Sequence, residues 1–373
     1  MLGLGATHAN RSRCVKAGRP PRSSCSASPR SPALEPGTSG GLPSFIMVSP
    51  DKTGSTAIYA DLTHHPRVDD RVACKELRFW NAPAGEDTSC HTRPQLSWEK
   101  LLDLYRVGFP PPCDGLISGE ATPRYFMSAV AAGAIAQSLP RVRLLFFSRD
   151  PVMRFLSRLL GNRASLPKYH GVSISQRTAN LTTCAGMLLD SRQRLEQCAG
   201  GARAIARAKL TRGGCCIGGE RGLDENAPLS RGLYADGLRA LWLPHFELGR
   251  QLLVMPSELF LPTNASAAQL AYQRVFAHLG LEPWTPADFA TRPSAHEHRG
   301  SNHTASYAAY LERLGRVPSW GCQSTHLRWL KEFYAPANAA LSDMFWQSEA
   351  ALLRAQPALR PIAWQLPAYM RPL

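Results

Sequence analysis

The chain has no apolar run long enough to cross a bilayer as a helix. Its longest weakly apolar stretch, Ser128 to Leu139, is too short and too rich in Ala and Gly, so no transmembrane segment is expected. CxxC pairs are absent although ten cysteines are present, so no zinc or other metal site is expected. The nucleoside-triphosphatase pattern GxxxxGK[ST] is missing. There is no run of Lys and Arg interleaved with aromatics, and no nucleic-acid motif, so no nucleic-acid partner is expected. Internal repeats are absent as well. Acidic residues are scarce: 28 Asp and Glu face 43 Lys and Arg, a formal net charge of +15. That balance favours anionic partners such as a phosphorylated nucleotide, a polyanionic glycan or an acidic membrane surface. Hydrophobic residues make up 44% and charged residues 19%, which suits a large core and argues against wholesale disorder.

Residues 1–42 form a basic segment. Arg11, Arg13, Lys16, Arg19, Arg22 and Arg30 stand against the single acid Glu35, among many Ser, Pro and Gly. Such a stretch cannot bury a core. It reads either as a disordered tail or as an Arg- and Ser-rich transit-type leader, and it shows no apolar run of the secretory kind. Asn10, Asn180, Asn264 and Asn302 each begin an N-x-S/T sequon. Together with ten cysteines they lean toward a glycoprotein of a secretory lumen, where disulfides persist; plastid and cytoplasm stay open as alternatives. Cys184 and Cys198 are a candidate bridged pair, with two buried thiols as the alternative.

Order is expected from residue 43 to about 350. Ser44–Ser49 fits a short buried strand, Pro50–Gly54 breaks it, and Ser55–His65 reads as a helix. A second strand fits Gly115–Ser118, followed by a helix over Ala129–Ser138. Val142–Ser148 is the clearest strand, and Pro151 suits the first turn of the next helix. Gln251–Met255 is a fourth strand. Ala265–Leu279 is a helix closed by Gly280, and Leu327–Phe345 a last amphipathic helix. Residues 159–229, rich in Arg, Gly and Cys, read as an insertion, and 351–373 as a C-terminal tail. Strands alternating with helices predict one α/β domain: a central parallel sheet flanked by helices in three layers, of the P-loop type.

Two loops carry candidate chemistry. Pro50-Asp-Lys-Thr-Gly-Ser-Thr56 lies between strand and helix, where backbone N–H groups and the helix dipole favour phosphate. Gly54 permits close backbone approach, Lys52 adds a full charge, and Ser55 and Thr56 add hydroxyls. The competing reading is an ordinary helix start with Ser55 as N-cap. Lys52 precedes Gly54, the reverse of the ATPase order. The second loop is Arg149-Asp-Pro-Val-Met-Arg-Phe-Leu-Ser157. Arg149 falls at a strand's carboxyl end, where α/β sheets place ligands, and Ser157 two helical turns further on.

These residues resemble a known family. Lys52-Thr-Gly-Ser-Thr56 is similar to the 5′-phosphosulfate loop of sulfotransferases that use 3′-phosphoadenosine-5′-phosphosulfate (PAPS). Arg149-x-Pro-x-x-Arg154-x-x-Ser157 resembles their 3′-phosphate motif. Lys75-Glu-Leu-Arg-Phe-Trp80, Gly119-Glu-Ala-Thr-Pro-Arg-Tyr-Phe126, Arg231-Gly-Leu-Tyr234 with Leu238 and Trp242, and Leu330–Asn338 resemble further family segments in the same order. The set spans about Pro43 to Phe345 and is closest to the heparan-sulfate and other carbohydrate sulfotransferases.

The resemblance implies that Lys52, Thr53, Gly54, Ser55 and Thr56 hold the 5′-phosphosulfate, and that Arg149 and Ser157 hold the 3′-phosphate. It implies Glu76 as general base and Lys52 as the cation at the leaving group. Gly315 and Arg316 lie where the family has a phosphate-clamping K-G-R loop, with Leu314 in place of the Lys. PAPS as donor, a glycan or other hydroxyl as acceptor, no metal and a Golgi location follow. On the residues alone, the preferred reading of Glu76 is a surface carboxylate paired with Lys75. Ala121 and Arg78 depart from the family's Lys and His, which alters the acceptor side. The alternatives are an ATP-dependent kinase or NTPase, and a non-catalytic polyanion-binding relative.

Overall fold

The computed structural model describes residues 41–72, 75–81, 98–106, 108–110, 115–165, 183–199, 228–261, 265–284 and 322–371. Strand β1 (Phe45–Met47) leads through a loop to α1 (Ser55–Leu62). Helix α2 (Trp98–Arg106), β2 (Gly119–Ala121), α3 (Ala129–Ser138), β3 (Arg143–Ser148) and α4 (Pro151–Ser165) follow. Helix α5 (Cys184–Ala199), a short helix α6 (Tyr234–Gly237) that widens into a π-turn over Leu238–Trp242, β4 (Leu252–Pro256), α7 (Ala265–Leu279) and α8 (Ser324–Ala355) complete the described chain.

The four strands form one parallel sheet in the order β2-β1-β3-β4. Phe45, Ile46, Met47 and Val48 are each at most 1% exposed, as are Leu144 to Phe147. Successive strand residues face opposite sides, so both faces of the sheet are covered, as parallel sheets require. The expected α/β architecture, a parallel sheet flanked by helices, is what the chain adopts. A second apolar cluster joins α4, α5 and α8 through Val152, Phe155, Leu159, Met187, Tyr334 and Ala337.

Several boundaries differ from the sequence reading. The second strand lies at Gly119–Ala121, not at 115–118, where only Ile117 makes an isolated bridge to Val68. Gly119 is needed there because a Cβ would meet the Phe45 ring at 2.5 Å. The first helix stops at Leu62, short of His65, whose ring bonds the Glu282 carbonyl instead. Residue 54, not Ser55, is the N-cap of α1: Gly54 holds φ 88° and Ser55 is already helical. The last helix runs ten residues past Phe345, and the segment set apart as a tail is part of the core. Trp364, Leu366 and Met370 are at most 9% exposed within the main cluster.

Cys184 is bonded to Cys322, not to Cys198. The bridge pins the start of α5 to the start of α8, a tertiary pairing that sequence proximity could not indicate. Of the stretch 159–229, the described part is the end of α4, Thr183 with helix α5, and residues 228–229; the segment 1–40 lies outside the described residues, as do Asn10, Asn180, Asn264 and Asn302.

Candidate active site at the carboxyl edge of the sheet

Strands β1 and β3 are neighbours, while the chain leaves β1 for β2 on the other side. The crevice between the carboxyl ends of β1 and β3 is therefore the sheet's topological switch point, where α/β folds bind ligands. Two loops meet there. Ser49 Oγ accepts the Phe147 N–H at 2.6 Å, and Arg149 Nη1 donates to the Lys52 carbonyl at 3.2 Å. The residues singled out on sequence after β1 and after β3 are thus in direct contact.

The loop after β1 curls because Lys52 (φ 67°) and Gly54 (φ 88°) both take the left-handed conformation. Alternation of that kind makes backbone N–H groups converge on a concave nest that suits an anion. Ala57 and Ile58 both donate to the Gly54 carbonyl, while the N–H groups of Ser55 and Thr56 have no acceptor inside the helix. Thr53 is fully buried and its hydroxyl donates to the Pro50 carbonyl at 2.8 Å, so its side chain pins the loop from within. Ser55 is buried and Thr56 exposed at the helix start. The Lys52 ammonium has no bonded partner among the described residues.

Ser157 is buried on α4. Asp150 caps that helix: its Oδ1 accepts from Val152 at 2.8 Å and Met153 at 3.3 Å. The Asp150 N–H donates to Glu258 just after β4, and Tyr369 donates to the same carboxylate at 3.3 Å. Burial pushes the Glu258 carboxyl up to about 7, against the pull of Arg149.

Glu76 lies on a strip alongside β2. The Lys75 carbonyl accepts the Ala121 N–H at 2.8 Å, and the N–H groups of Leu77, Arg78 and Phe79 donate to Glu120, Thr122 and Tyr125. Ala121 is in register with Met47 of β1, so the strip and the Lys52 loop occupy the same edge of the sheet. The carboxylate of Glu76 pairs with Lys75 at 3.3 Å and with Arg78 at 3.0 Å, and is about a third exposed. Burial works to raise its pKa, but Lys75 and Arg78 together hold it below the usual range. It is ionised at neutral pH, with one oxygen paired to Lys75 and the other to Arg78. Arg78 takes φ 55° to reach it. Gly315 and Arg316 lie outside the described residues.

Sequence reasoning passed over four polar residues, Glu120 fully buried and the other three partly buried. Glu120, fully buried, accepts from Tyr105, Thr122, Tyr125 and Leu77 and anchors the Glu76 strip. Asp51, beside Lys52, binds Arg231, Arg158 and Arg154. Glu258 and Tyr369 back the β3 loop. An acid inside an otherwise basic, hydroxyl-rich loop, as Asp51 is, was the one visible signal, since it demands a counter-charge.

No protein-family model matches the chain. It is 30% identical over 143 residues to human heparan sulfate glucosamine 3-O-sulfotransferase 3B1, covering 38% of this chain and 33% of that protein. It is 32% identical over 131 residues to human bifunctional heparan sulfate N-deacetylase/N-sulfotransferase 2, covering 33% of this chain and 13% of the relative. The matched stretch therefore spans about a third of the first relative's length or less. A sulfotransferase from Alicyclobacillus acidocaldarius superposes with a TM-score of 0.48 at 17% identity, over 82% of this chain and 96% of that one.

Proposed function

We propose that this chain, similar in sequence to heparan sulfate sulfotransferases, transfers a sulfuryl group from PAPS to a hydroxyl of a carbohydrate. The observation that carries the proposal is the β1 loop: a nest of N–H groups with Lys52 beside it, bonded to Arg149 across the switch point. In this reading Lys52, the backbone of Thr53 and Gly54, and Ser55 and Thr56 hold the 5′-phosphosulfate. Arg149 and Ser157 hold the 3′-phosphate, with Gly315 and Arg316 as further clamps.

Glu76 accepts the proton of the acceptor hydroxyl, whose oxygen attacks sulfur in line with the bond to phosphate. That S–O bond breaks, and its electron pair leaves on adenosine 3′,5′-bisphosphate. Lys52 and the loop N–H groups stabilise the charge gathering there. No step needs a metal. The capping bonds of Asp150 favour this reading over a kinase, which would want that carboxylate at Mg²⁺. The Cys184–Cys322 bridge supports maturation in a secretory lumen, and we assign the Golgi as the compartment.

The test is binding followed by transfer. Adenosine 3′,5′-bisphosphate should raise the melting temperature, because a ligand of the folded state alone must do so. Lys52→Ala and Arg149→Ala should each remove most of that rise. Labelled PAPS should then deliver sulfate to a glycan in a panel of glycans, small alcohols and phenols. Stabilisation by ATP with Mg²⁺ and not by the bisphosphate would overturn the proposal in favour of a kinase. Bisphosphate binding without transfer to any acceptor would leave a polyanion-binding relative.

A further inference from the structure

The loop that is to hold an anionic donor carries an acid. Asp51 directly precedes Lys52, and a bare carboxylate there would repel phosphate. It is not bare. Arg231 Nη1 lies 2.7 Å from its Oδ1, Arg158 Nη1 3.4 Å from Oδ2, and Arg154 Nη1 3.6 Å from Oδ1. Arg154 and Arg158 come from α4, and Arg231 from the turn over Ser230–Gly232, so one carboxylate ties three separate stretches together. Arg154 is fully buried and also donates to the Pro228 carbonyl, which fastens that turn to α4. The Asp51 side chain is only 17% exposed. Burial works to raise its pKa, but the three guanidiniums hold it well below the ordinary carboxylate range, so the charge persists.

The next residue is Lys52 at φ 67°, a conformation that side chains with a Cβ avoid unless the surroundings impose it. Two ties impose it here. Arg149 holds the Lys52 carbonyl from one side, and the Asp51 ion pairs hold the preceding residue from the other. We infer that Asp51 is a positioning residue for the donor: anchored to Arg231, Arg158 and Arg154, it holds Lys52 in the left-handed turn that shapes the anion nest. It touches neither donor nor acceptor and acts through Lys52. The inference rests on the donor-binding reading above.

Coulomb's law and positioning predict opposite signs. Neutralising an acid beside a polyanion site strengthens binding if charge alone matters, and weakens it if the acid sets the loop. The experiment is the dissociation constant of adenosine 3′,5′-bisphosphate on the full chain, by calorimetry. Wild-type protein is measured first, and failure to bind there refutes the donor reading itself rather than the role of Asp51. Asp51→Asn should weaken binding by about ten- to a hundredfold, the loss of one well-made charged hydrogen bond. In a Lys52→Gly background the same change should add less than about twofold, because glycine takes the left-handed turn without being held there. General destabilisation would instead add in full. Asp51→Glu keeps the charge on a longer arm, so it isolates geometry and should still weaken binding several-fold. Unchanged or tighter binding by Asp51→Asn overturns the inference. If that variant does not fold, an unchanged constant in Asp51→Glu overturns it equally.

Discussion

Glu120→Ala is the perturbation that separates scaffold from chemistry most cleanly. The Glu120 side chain is fully buried, and four donors converge on it: Tyr105 at 2.5 Å, Thr122 at 2.6 Å, Tyr125 at 3.0 Å and the Leu77 N–H at 3.2 Å. Hydrogen bonds to a charged acceptor contribute about 1.5–3 kcal/mol each. Three of the donors are hydroxyls that can turn toward other acceptors; the Leu77 N–H cannot. The net loss, with the small cavity left behind, is about 4 kcal/mol. For a chain of this size that lowers the melting temperature by about 8 °C, at roughly 2 °C per kcal/mol.

The same change frees the strip carrying Glu76, so turnover should fall about tenfold or more. Bisphosphate affinity, which the proposed function assigns to the β1 and β3 loops, should stay within about twofold. Calorimetric melting, nucleotide titration and single-turnover transfer read the three effects. Glu120→Gln keeps the volume and one acceptor, so its losses should be intermediate. A Glu120→Ala protein melting within about 2 °C of wild type would refute the reasoning, because that many buried donors cannot lose their acceptor at no cost.

Glu76→Gln should cut kcat by about 10²- to 10⁴-fold while nucleotide affinity holds, as expected of a lost general base; near-normal turnover would remove Glu76 from the mechanism. Glu258 titrates near 7 in the folded protein, above its usual 4.5, with Arg149, Asp150, Tyr234 and Tyr369 around it. Between those values the folded state binds more protons than the unfolded one, so stability should fall as pH rises, by at most about 3 kcal/mol. Urea midpoints at about pH 5 and pH 8 should show that decline shrinking in Glu258→Gln; an unchanged slope refutes the assignment. Cys322→Ser opens a bridge between residues 138 apart and should cost about 2–5 kcal/mol. The loss should match that of reduced wild type in denaturant melts, and wild type unaffected by reductant would refute it.

Local order was legible in the sequence. The β1 strand, loop and helix are adjacent in the chain, and Gly54 and Lys52 carry the conformations that the loop needs. Pro151 starts α4 and Gly280 ends α7 because each meets a backbone requirement of its own position. The segments around Lys52, Glu76 and Arg149 could be singled out for the same reason: each is a run of a few residues whose proposed chemistry is local. The placement of the short strand β2 was not. Glu120 looks like a surface acid until Tyr105 and Tyr125 arrive to satisfy it, and only then can Gly119–Ala121 pair inside the sheet. The partners of Asp51, Arg154, Arg158 and Arg231, stand 103 (154 − 51), 107 and 180 residues away, and the partner of Cys184 stands 138 away. Glu258 and Tyr369 meet only because the C-terminal segment folds back to the β3 loop. Pairings at such separations leave no periodicity and no spacing rule in the chain. They exist because burying a charge or a polar group is unfavourable without a partner, and the packing of the sheet and its helices decided which residue that partner would be.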